Sequence, residues 1–427
     1  MRIALYTLGC KVNQYESQAM EALLLARGHH LAPFTDQADV YLINSCTVTA
    51  TSDKKSRQAV RQARKRAPRA LVALCGCYPQ VSPEAAKELE ADLIGGSGDR
   101  RAFLDLIEQV AAQREKTVAL DNPFHRAGFE PLPAGGLEGR TRGMLKVEDG
   151  CTNFCAYCII PYARGAVRSL APGGGSVAQA KTLEAAGYRE IVVTGIELSG
   201  YGRDLPGRPG LADLVEAVCR AVPGLRVRLG SLEPRTVTED FCRRLAALPN
   251  LCPHFHLSLQ SGCDATLARM KRRYDTARYR QSVDLLRAFF HRPALTTDLI
   301  VGFPGETEEE FQQTLAFLQD CRFARMHIFP YSWRKGTPAA TMPHQVPNGE
   351  KADRAHRAAE VASAMERSWL TSWVGQTVPV LFEEEKGGLL AGISPQYVRC
   401  SSRGRAFTTR FEPSPSLRQG TPTSSAS

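Results

Sequence analysis

The sequence predicts an α/β protein in three parts: an N-terminal parallel-sheet domain, a central (βα)6 full or partial TIM-type barrel, and a small β-rich C-terminal domain. Three observations predict it. Short apolar runs alternate with helical stretches from Met1 to Asp121; six further strand-like runs alternate with helical ones from Met144 to Tyr331; and the chain ends in short β-rich segments.

In the first part, Ile3 to Leu8, Val40 to Ile43 and Leu71 to Leu74 are the apolar runs, and Tyr15 to Arg27 and Ser52 to Ala67 are helical. This is the order of β-α-β units. Residues 122–143, with three prolines, five glycines and little periodicity, read as a linker. The six strands that follow are Met144–Glu148, Glu190–Thr194, Arg226–Gly230, Phe255–Leu259, Thr297–Val301 and Met326–Tyr331. Right-handed crossovers between such strands give a parallel sheet whose function sits at the strands' carboxyl ends. A helix from Gly349 to Trp373 precedes strands at Val378–Glu383 and Leu389–Gly392, and Pro413 to Ser427 is Ser/Pro/Thr/Gly-rich and expected to fray. The expected domains are therefore 1–121, 144–370 and 371–427.

At 427 residues, 43% hydrophobic and 23% charged, the composition excludes a small stapled scaffold and a disordered tail protein. No stretch approaches the roughly 18 to 20 apolar residues of a membrane span, and Met1 to Cys10, followed at once by Lys11, is too short for a signal peptide. The expectation is a soluble, cytoplasmic chain with no membrane partner. A net charge of +10 favours an anionic partner, and Lys54, Lys55, Arg57, Arg61, Arg64, Lys65, Arg66 and Arg69 are concentrated in one segment. On a helix, Val60, Ala63 and Ala67 share one face and most of these cations the other. That is either a solvated face or a phosphate contact.

Thirteen cysteines in a chain without export signals point to metal binding or catalysis rather than disulfides. Cys151, Cys155 and Cys158 stand in a CxxxCxxC just after the first barrel strand. Three such thiolates ligate three irons of a four-iron cubane and leave the fourth open. Zinc is the competing metal, but its structural sites want four protein ligands, and no fourth is placed nearby. A second set is spread along the chain: Cys10, Cys46 and Cys77 each follow one of the first three strands. The carboxyl ends of neighbouring parallel strands share an edge, so these loops can converge on a second open-site cluster.

The CxxxCxxC, its aromatic Tyr157 and the (βα)6 pattern resemble the radical S-adenosylmethionine (SAM) superfamily. Thr7-Leu-Gly-Cys10-Lys-Val-Asn13, Asn44-Ser-Cys46-Thr, Cys75-Gly-Cys77-Tyr, Ile160-Pro-Tyr-Ala-Arg164, Ser231-Leu-Glu233-Pro, Leu259-Gln260-Ser-Gly and Met270-Lys-Arg-Arg-Tyr274 narrow it to the methylthiotransferases. The resemblance runs from Met1 to about Glu383. It implies two [4Fe-4S] clusters, SAM chelated by the open iron of the Cys151/Cys155/Cys158 cluster, and an auxiliary cluster on Cys10, Cys46 and Cys77. Cys77, rather than Cys75, occupies the family's Gly-Cys position. Two SAM molecules per turnover follow, with an electron donor such as a flavodoxin or ferredoxin.

Further implications concern SAM and substrate. Tyr157 would lie against the adenine of SAM, and Glu197, Glu233 and Gln260 are candidate polar contacts to it; hydrogen bonding at a barrel rim explains them equally. Lys11-Val12 resembles the branch acting on N6-threonylcarbamoyladenosine at position 37 of tRNA. The expected activity is methylthio insertion at C2 of that nucleoside, with the tRNA anticodon loop as partner. The alternatives are N6-isopentenyladenosine-37, a ribosomal-protein side chain, or an iron–sulfur RNA-binding module without turnover. Arg269, Lys271, Arg272, Arg273, Arg278 and Arg280, interleaved with Tyr274 and Tyr279, form a second basic stretch suited to unpaired nucleotides. The tail from Trp373 resembles the start of the family's small RNA-binding (TRAM) barrel, departing from it after about Arg399. Cys219, Cys242 and Cys321 read as core residues.

Overall fold

The computed structural model describes residues 1–134, 141–402 and 408–410. It divides into two compact units. The first holds 1–225 with 269–272 and 332–342, and the second the rest. The Ser/Pro-rich end from Pro413 lies outside the described residues.

The first unit contains a six-stranded parallel sheet. Its strands are β1 (Arg2–Thr7), β2 (His30–Ala32), β3 (Val40–Ser45), β4 (Leu71–Gly76), β5 (Leu93–Gly95) and β6 (Thr117–Ala119), in the spatial order β2-β1-β3-β4-β5-β6. Every residue of β3 and β4 is buried, as expected for parallel strands covered on both faces. Their alternate residues feed two cores. Tyr41, Ile43, Val72 and Leu74 meet Ala59, Val60 and Ala63 of helix α2 (Ala50–Arg66). Leu42, Leu71 and Ala73 meet Met20 and Leu24 of helix α1 (Lys11–Ala26) and Phe103, Leu104 and Ile107 of the helix Arg100–Gln113.

Helix α2 begins two residues before the Ser52 that the sequence indicates, because Thr49 caps it: the Thr49 side chain accepts from Ser52 N, and Asp53 sits in the first turn. Helix α1 starts four residues earlier than the apolar spacing indicates, because Cys10 itself takes the capping position in extended geometry. The described part of the 122–143 segment is anchored at Leu132: Tyr15 Oη donates to its carbonyl at 2.8 Å, and its side chain is buried against Tyr15 and Ala19.

Strand β7 (Arg142–Lys146) pairs in parallel with Glu190–Thr194 over its whole length. It ends earlier than the sequence suggests because Glu148 and Asp149 turn to pair antiparallel with Arg168 and Ser169. In the second unit, Ser231–Leu232, His254–Leu257, Ala294–Val301 and Arg325–Pro330 form a parallel sheet, with helices between them. Strand Arg226–Leu229 completes the six that the sequence predicts for this region. After the helix Asn348–Thr371, strands Leu381–Lys386, Leu389–Ile393 and Arg399–Ser402 form an antiparallel meander, and Thr377–Pro379 pairs with Thr408–Arg410. Strands thus continue past Arg399, where the sequence pattern departs. The meander's turn is held by Arg228, which donates to the Pro395 and Ser394 carbonyls at 2.9 and 3.1 Å, and by Tyr397 stacked on His254 at 4.3 Å.

Candidate functional site

The first unit carries both cysteine triads. The register of the sheet explains the spread one: Thr7 of β1 lies opposite Asn44 of β3, and Ser45 lies opposite Gly76 of β4, so the three strands end level. Cys10, Cys46 and Cys77 follow those ends. Gly9, at φ +104°, shows how close they come, since a Cβ there would lie 2.8 Å from Cys46 Sγ. Cys10 is reachable by solvent, yet its thiol is surrounded densely enough that burial pushes it up to about 11; Arg164 opposes this, and Cys77 and Cys46 add to it. Cys75 belongs instead to the sheet core, in the cluster that holds Leu71, Ala73 and Leu93. Burial raises its thiol to about 11 as well.

The second triad lies on the loop after β7. Cys151 N donates to the Gly165 carbonyl at 2.9 Å, Cys158 N to the Cys155 carbonyl at 2.9 Å, and Ala156 N to the Met270 carbonyl at 2.9 Å. Each flanking thiol feels the others: desolvation raises Cys158 to about 12, with Cys155 next, and it raises Cys151 further, with Cys158 and Cys155 contributing. Thiols this reluctant to ionise must shed protons to bind metal, so loading is favoured as pH rises.

Two arginines address the triads directly. Arg164 Nε donates to Cys77 Sγ at 3.3 Å, and Arg272 Nη1 donates to Cys155 Sγ at 3.1 Å. Arg164 also binds Asn13 and Glu16 of α1. Glu16 in turn accepts from Arg100 at 2.8 Å and Lys146 at 2.9 Å, and Lys146 reaches Asp149 at 2.8 Å. With Arg168, four buried cations meet two buried carboxylates. A surplus of buried positive charge is costly unless balanced, and thiolates of a metal cluster at Cys77 would balance it. Among the described residues, no three His, Cys, Asp or Glu side chains are gathered tightly enough to hold a single metal ion. Cysteines on a cubane bind separate irons, whereas those on one zinc, with Zn–S about 2.3 Å, converge on a single point. Three cysteines with a nearby guanidinium donor fit the cluster.

Of the other sequence candidates, Tyr157 is half-buried within the second loop. Glu197 sits beside it: its carboxylate accepts from Asn153 Nδ2 at 3.1 Å, and its charge is felt at Cys151 and Cys158. Glu233 and Gln260 belong to the second unit. Glu233 is buried and paired with Arg235 at 2.8 Å; Gln260 is buried with a left-handed backbone, φ +71°. Such strain concentrates at functional positions.

The stacking role read for Tyr274 and Tyr279 in the second basic stretch is corrected by the structure, while Lys271 and Arg273 of that stretch are exposed. Tyr274 and Tyr279 are buried, donating to the Ser258, Leu259 and Leu257 carbonyls, so neither offers a face to a base. Arg272 is turned to Cys155, Arg278 to Ser282 and the Val237 carbonyl, and Arg280 to Asp320. Sequence reasoning missed a polar set on the second unit's sheet. His256 Nε2 lies 3.2 Å from Asp298, with the His327 ring 6.4 Å away. The signal was there, in the alternation of His254, His256, Thr296 and Asp298 with buried apolar residues.

Glu148 was missed too. It is fully buried, its Oε2 accepts from Glu197 N at 2.7 Å, and Oε1 has no partner among the described residues. Burial, with Asp149 and Glu197 nearby, holds its carboxyl well above the usual range. A raised acid costs stability progressively as pH climbs above the unfolded value of about 4.3. Glu148→Gln removes that cost, so its melting temperature should rise relative to wild type between about pH 5 and pH 8. A difference independent of pH would show that Glu148 is ionised in the fold.

Residues 145–318 match the radical SAM superfamily, and residues 2–96 match an uncharacterized protein family, UPF0004. The structure is similar to that of the radical S-adenosylmethionine methyltransferase TsrM from Kitasatospora setae, with a TM-score of 0.57 at 15% identity, over 79% of this chain and 77% of that one. This likeness concerns the fold alone. The chain is 33% identical over 421 residues to the tRNA-2-methylthio-N(6)-dimethylallyladenosine synthase of Symbiobacterium thermophilum, covering 96% of this chain and 88% of the relative. It is 37% identical over 409 residues to the threonylcarbamoyladenosine tRNA methylthiotransferase MtaB of Bacillus subtilis, covering 94% of this chain and 90% of the relative. Relatedness of that extent, spanning both triads, makes this chain a transferase belonging to the radical SAM tRNA methylthiotransferases.

Proposed function

We propose that the protein inserts a methylthio group at C2 of N6-threonylcarbamoyladenosine-37 in tRNA, working in the cytoplasm with a small redox protein such as a flavodoxin or ferredoxin as electron donor. The observation that carries the reading is the pair of cysteine triads in one unit of a chain whose identity is higher to the threonylcarbamoyladenosine relative than to the dimethylallyladenosine one, 37% against 33%.

The C2–H of an adenine is neither acidic nor electrophilic enough for ordinary acid–base substitution. A [4Fe-4S] cluster held by Cys151, Cys155 and Cys158 would supply the electron that cleaves SAM, and one held by Cys10, Cys46 and Cys77 would carry the methylated sulfur. The chain's own residues set the stage. Glu197, held by Asn153 beside the Cys151 loop, offers a carboxylate to the ammonium of SAM, and Tyr157 offers its ring to the adenine. Glu233 and Gln260 are further polar contacts to SAM in this reading. Arg272 and Arg164 each donate a hydrogen bond to one cysteine sulfur of a triad and so orient it.

Mass spectrometry of tRNA nucleosides from cells with and without the gene tests the substrate. Loss of 2-methylthio-N6-threonylcarbamoyladenosine is the expected result. Loss of the isopentenyl analogue instead would move the enzyme to the sister activity.

A further inference from the structure

The tyrosines that the sequence offers for base stacking are buried, yet another aromatic set is exposed. Phe124, Phe154 and Tyr162 are 46%, 39% and 38% exposed, and they form one cluster. The Phe124 and Phe154 rings are near-parallel at 12°, with centroids 6.4 Å apart, and Tyr162 stands edge-on to both at 6.5 and 5.7 Å.

Three separate pieces of backbone build this cluster. Phe154 lies between Cys151 and Cys155 with φ +47°, a left-handed conformation that costs a bulky residue about 1 kcal/mol or more. Tyr162 comes from the short helix Ile160–Arg164 that follows Cys158. Phe124 comes from the turn Pro123–His125, which lies tight against the end of that helix: a Cβ on Gly165 would fall 1.9 Å from the Pro123 carbonyl oxygen. Large apolar side chains grouped at the surface mark a contact site.

Cations lie along α2. The first half of α2 lies beside the Cys10/Cys46/Cys77 triad, where Ser56 Oγ donates to the Cys46 carbonyl at 3.1 Å and the Arg57 guanidinium lies 5.9 Å from the Tyr78 ring centre. Lys54, Lys55, Arg61 and Lys65 on this helix are exposed. Aromatic faces for bases together with a row of cations for phosphates are the two components of single-stranded nucleic-acid binding.

We infer that Phe124, Phe154 and Tyr162 form a stacking platform for unpaired bases of an RNA loop, with the exposed cations of α2 taking its phosphates. This rests on the tRNA reading above and adds the residues that hold the loop beside the reacting nucleoside. Stacking is sequence-tolerant, so the platform positions the loop without choosing among tRNAs.

The test uses cluster-loaded, anaerobic full-length protein and an anticodon stem-loop RNA carrying 2-aminopurine next to position 37. Wild type should bind it and quench the fluorophore. Phe124→Ala and Tyr162→Ala, which lie outside the Cys151–Cys158 segment, should each weaken binding by about 5- to 100-fold and relieve the quenching at unchanged iron content, and Phe124→Trp should restore both. Because no cation is removed, the slope of log affinity against log salt should stay at the wild-type value in these variants, whereas Lys54→Ala with Lys55→Ala should flatten it.

Wild-type affinity and quenching in both alanine variants would overturn the platform while leaving the tRNA reading in place. Unchanged RNA binding with slower cluster reduction by flavodoxin would overturn it in favour of a docking face for a redox protein. No binding by wild type would overturn the tRNA reading and the platform together.

Discussion

Replacing Cys10, Cys46 and Cys77 together by alanine should halve the iron of the anaerobically purified protein, from about eight to about four by two cubanes. It should abolish methylthio insertion while reductive cleavage of SAM to 5′-deoxyadenosine continues. The separation follows from the architecture. The Cys10 set hangs on the ends of β1, β3 and β4, whereas Cys151, Cys155 and Cys158 sit on the loop after β7, fixed by their own backbone bonds to Gly165 and Met270. Removing three side chains at the sheet edge leaves that loop's hydrogen bonds untouched. Retention of all the iron would refute the second ligand set.

Glu16→Ala should strongly destabilise the first unit. Glu16 is fully buried and is the common partner of Arg100, Lys146 and Arg164. Truncating it takes the shared carboxylate from three buried cations, leaving Arg100 without its carboxylate partner and Lys146 and Arg164 with Asp149 alone, and breaking a buried ion pair by removing one partner costs about 3–5 kcal/mol. For a unit of this size the melting temperature should fall by on the order of 10 °C. Because Arg164 loses the carboxylate that aims it at Cys77, iron retained by the auxiliary triad should fall as well. Burial alone would raise the Glu16 carboxyl, but Arg100, Arg164 and Lys146 together hold it well below the usual range. Its contribution is therefore present in full above the ordinary carboxylate pKa and lost as pH falls through the depressed value. Glu16→Ala should accordingly show a smaller loss of stability on acidification than wild type; an equal loss would place the acid-sensitive group elsewhere.

The parts of this protein legible in its sequence are those written in local pattern. Runs such as Val40 to Ile43 and Leu71 to Leu74 are wholly apolar because β3 and β4 are covered on both faces, and the cysteines that follow them inherit the level ends of a parallel sheet. The start of α1 escapes because Cys10 is not among the usual capping residues. Tyr274 and Tyr279 read as partners of their neighbouring arginines because nothing in a basic stretch tells which side chains turn inward; the carbonyls of Leu257 to Leu259 decide it. The network around Glu16 has no local signature at all, since Arg164 meets Glu16 across 148 positions of sequence. Long-range ion pairs of that kind belong to the packing of the chain.

Incubating the cluster-loaded protein with SAM, a reductant and tRNA bearing N6-threonylcarbamoyladenosine-37, then digesting the tRNA for mass spectrometry, tests the central claim most directly. The expected result is 5′-deoxyadenosine together with a nucleoside heavier by one methylthio group replacing one hydrogen, lost when Cys151, Cys155 and Cys158 are changed to alanine. Production of 5′-deoxyadenosine with every tRNA nucleoside unchanged in mass would contradict it.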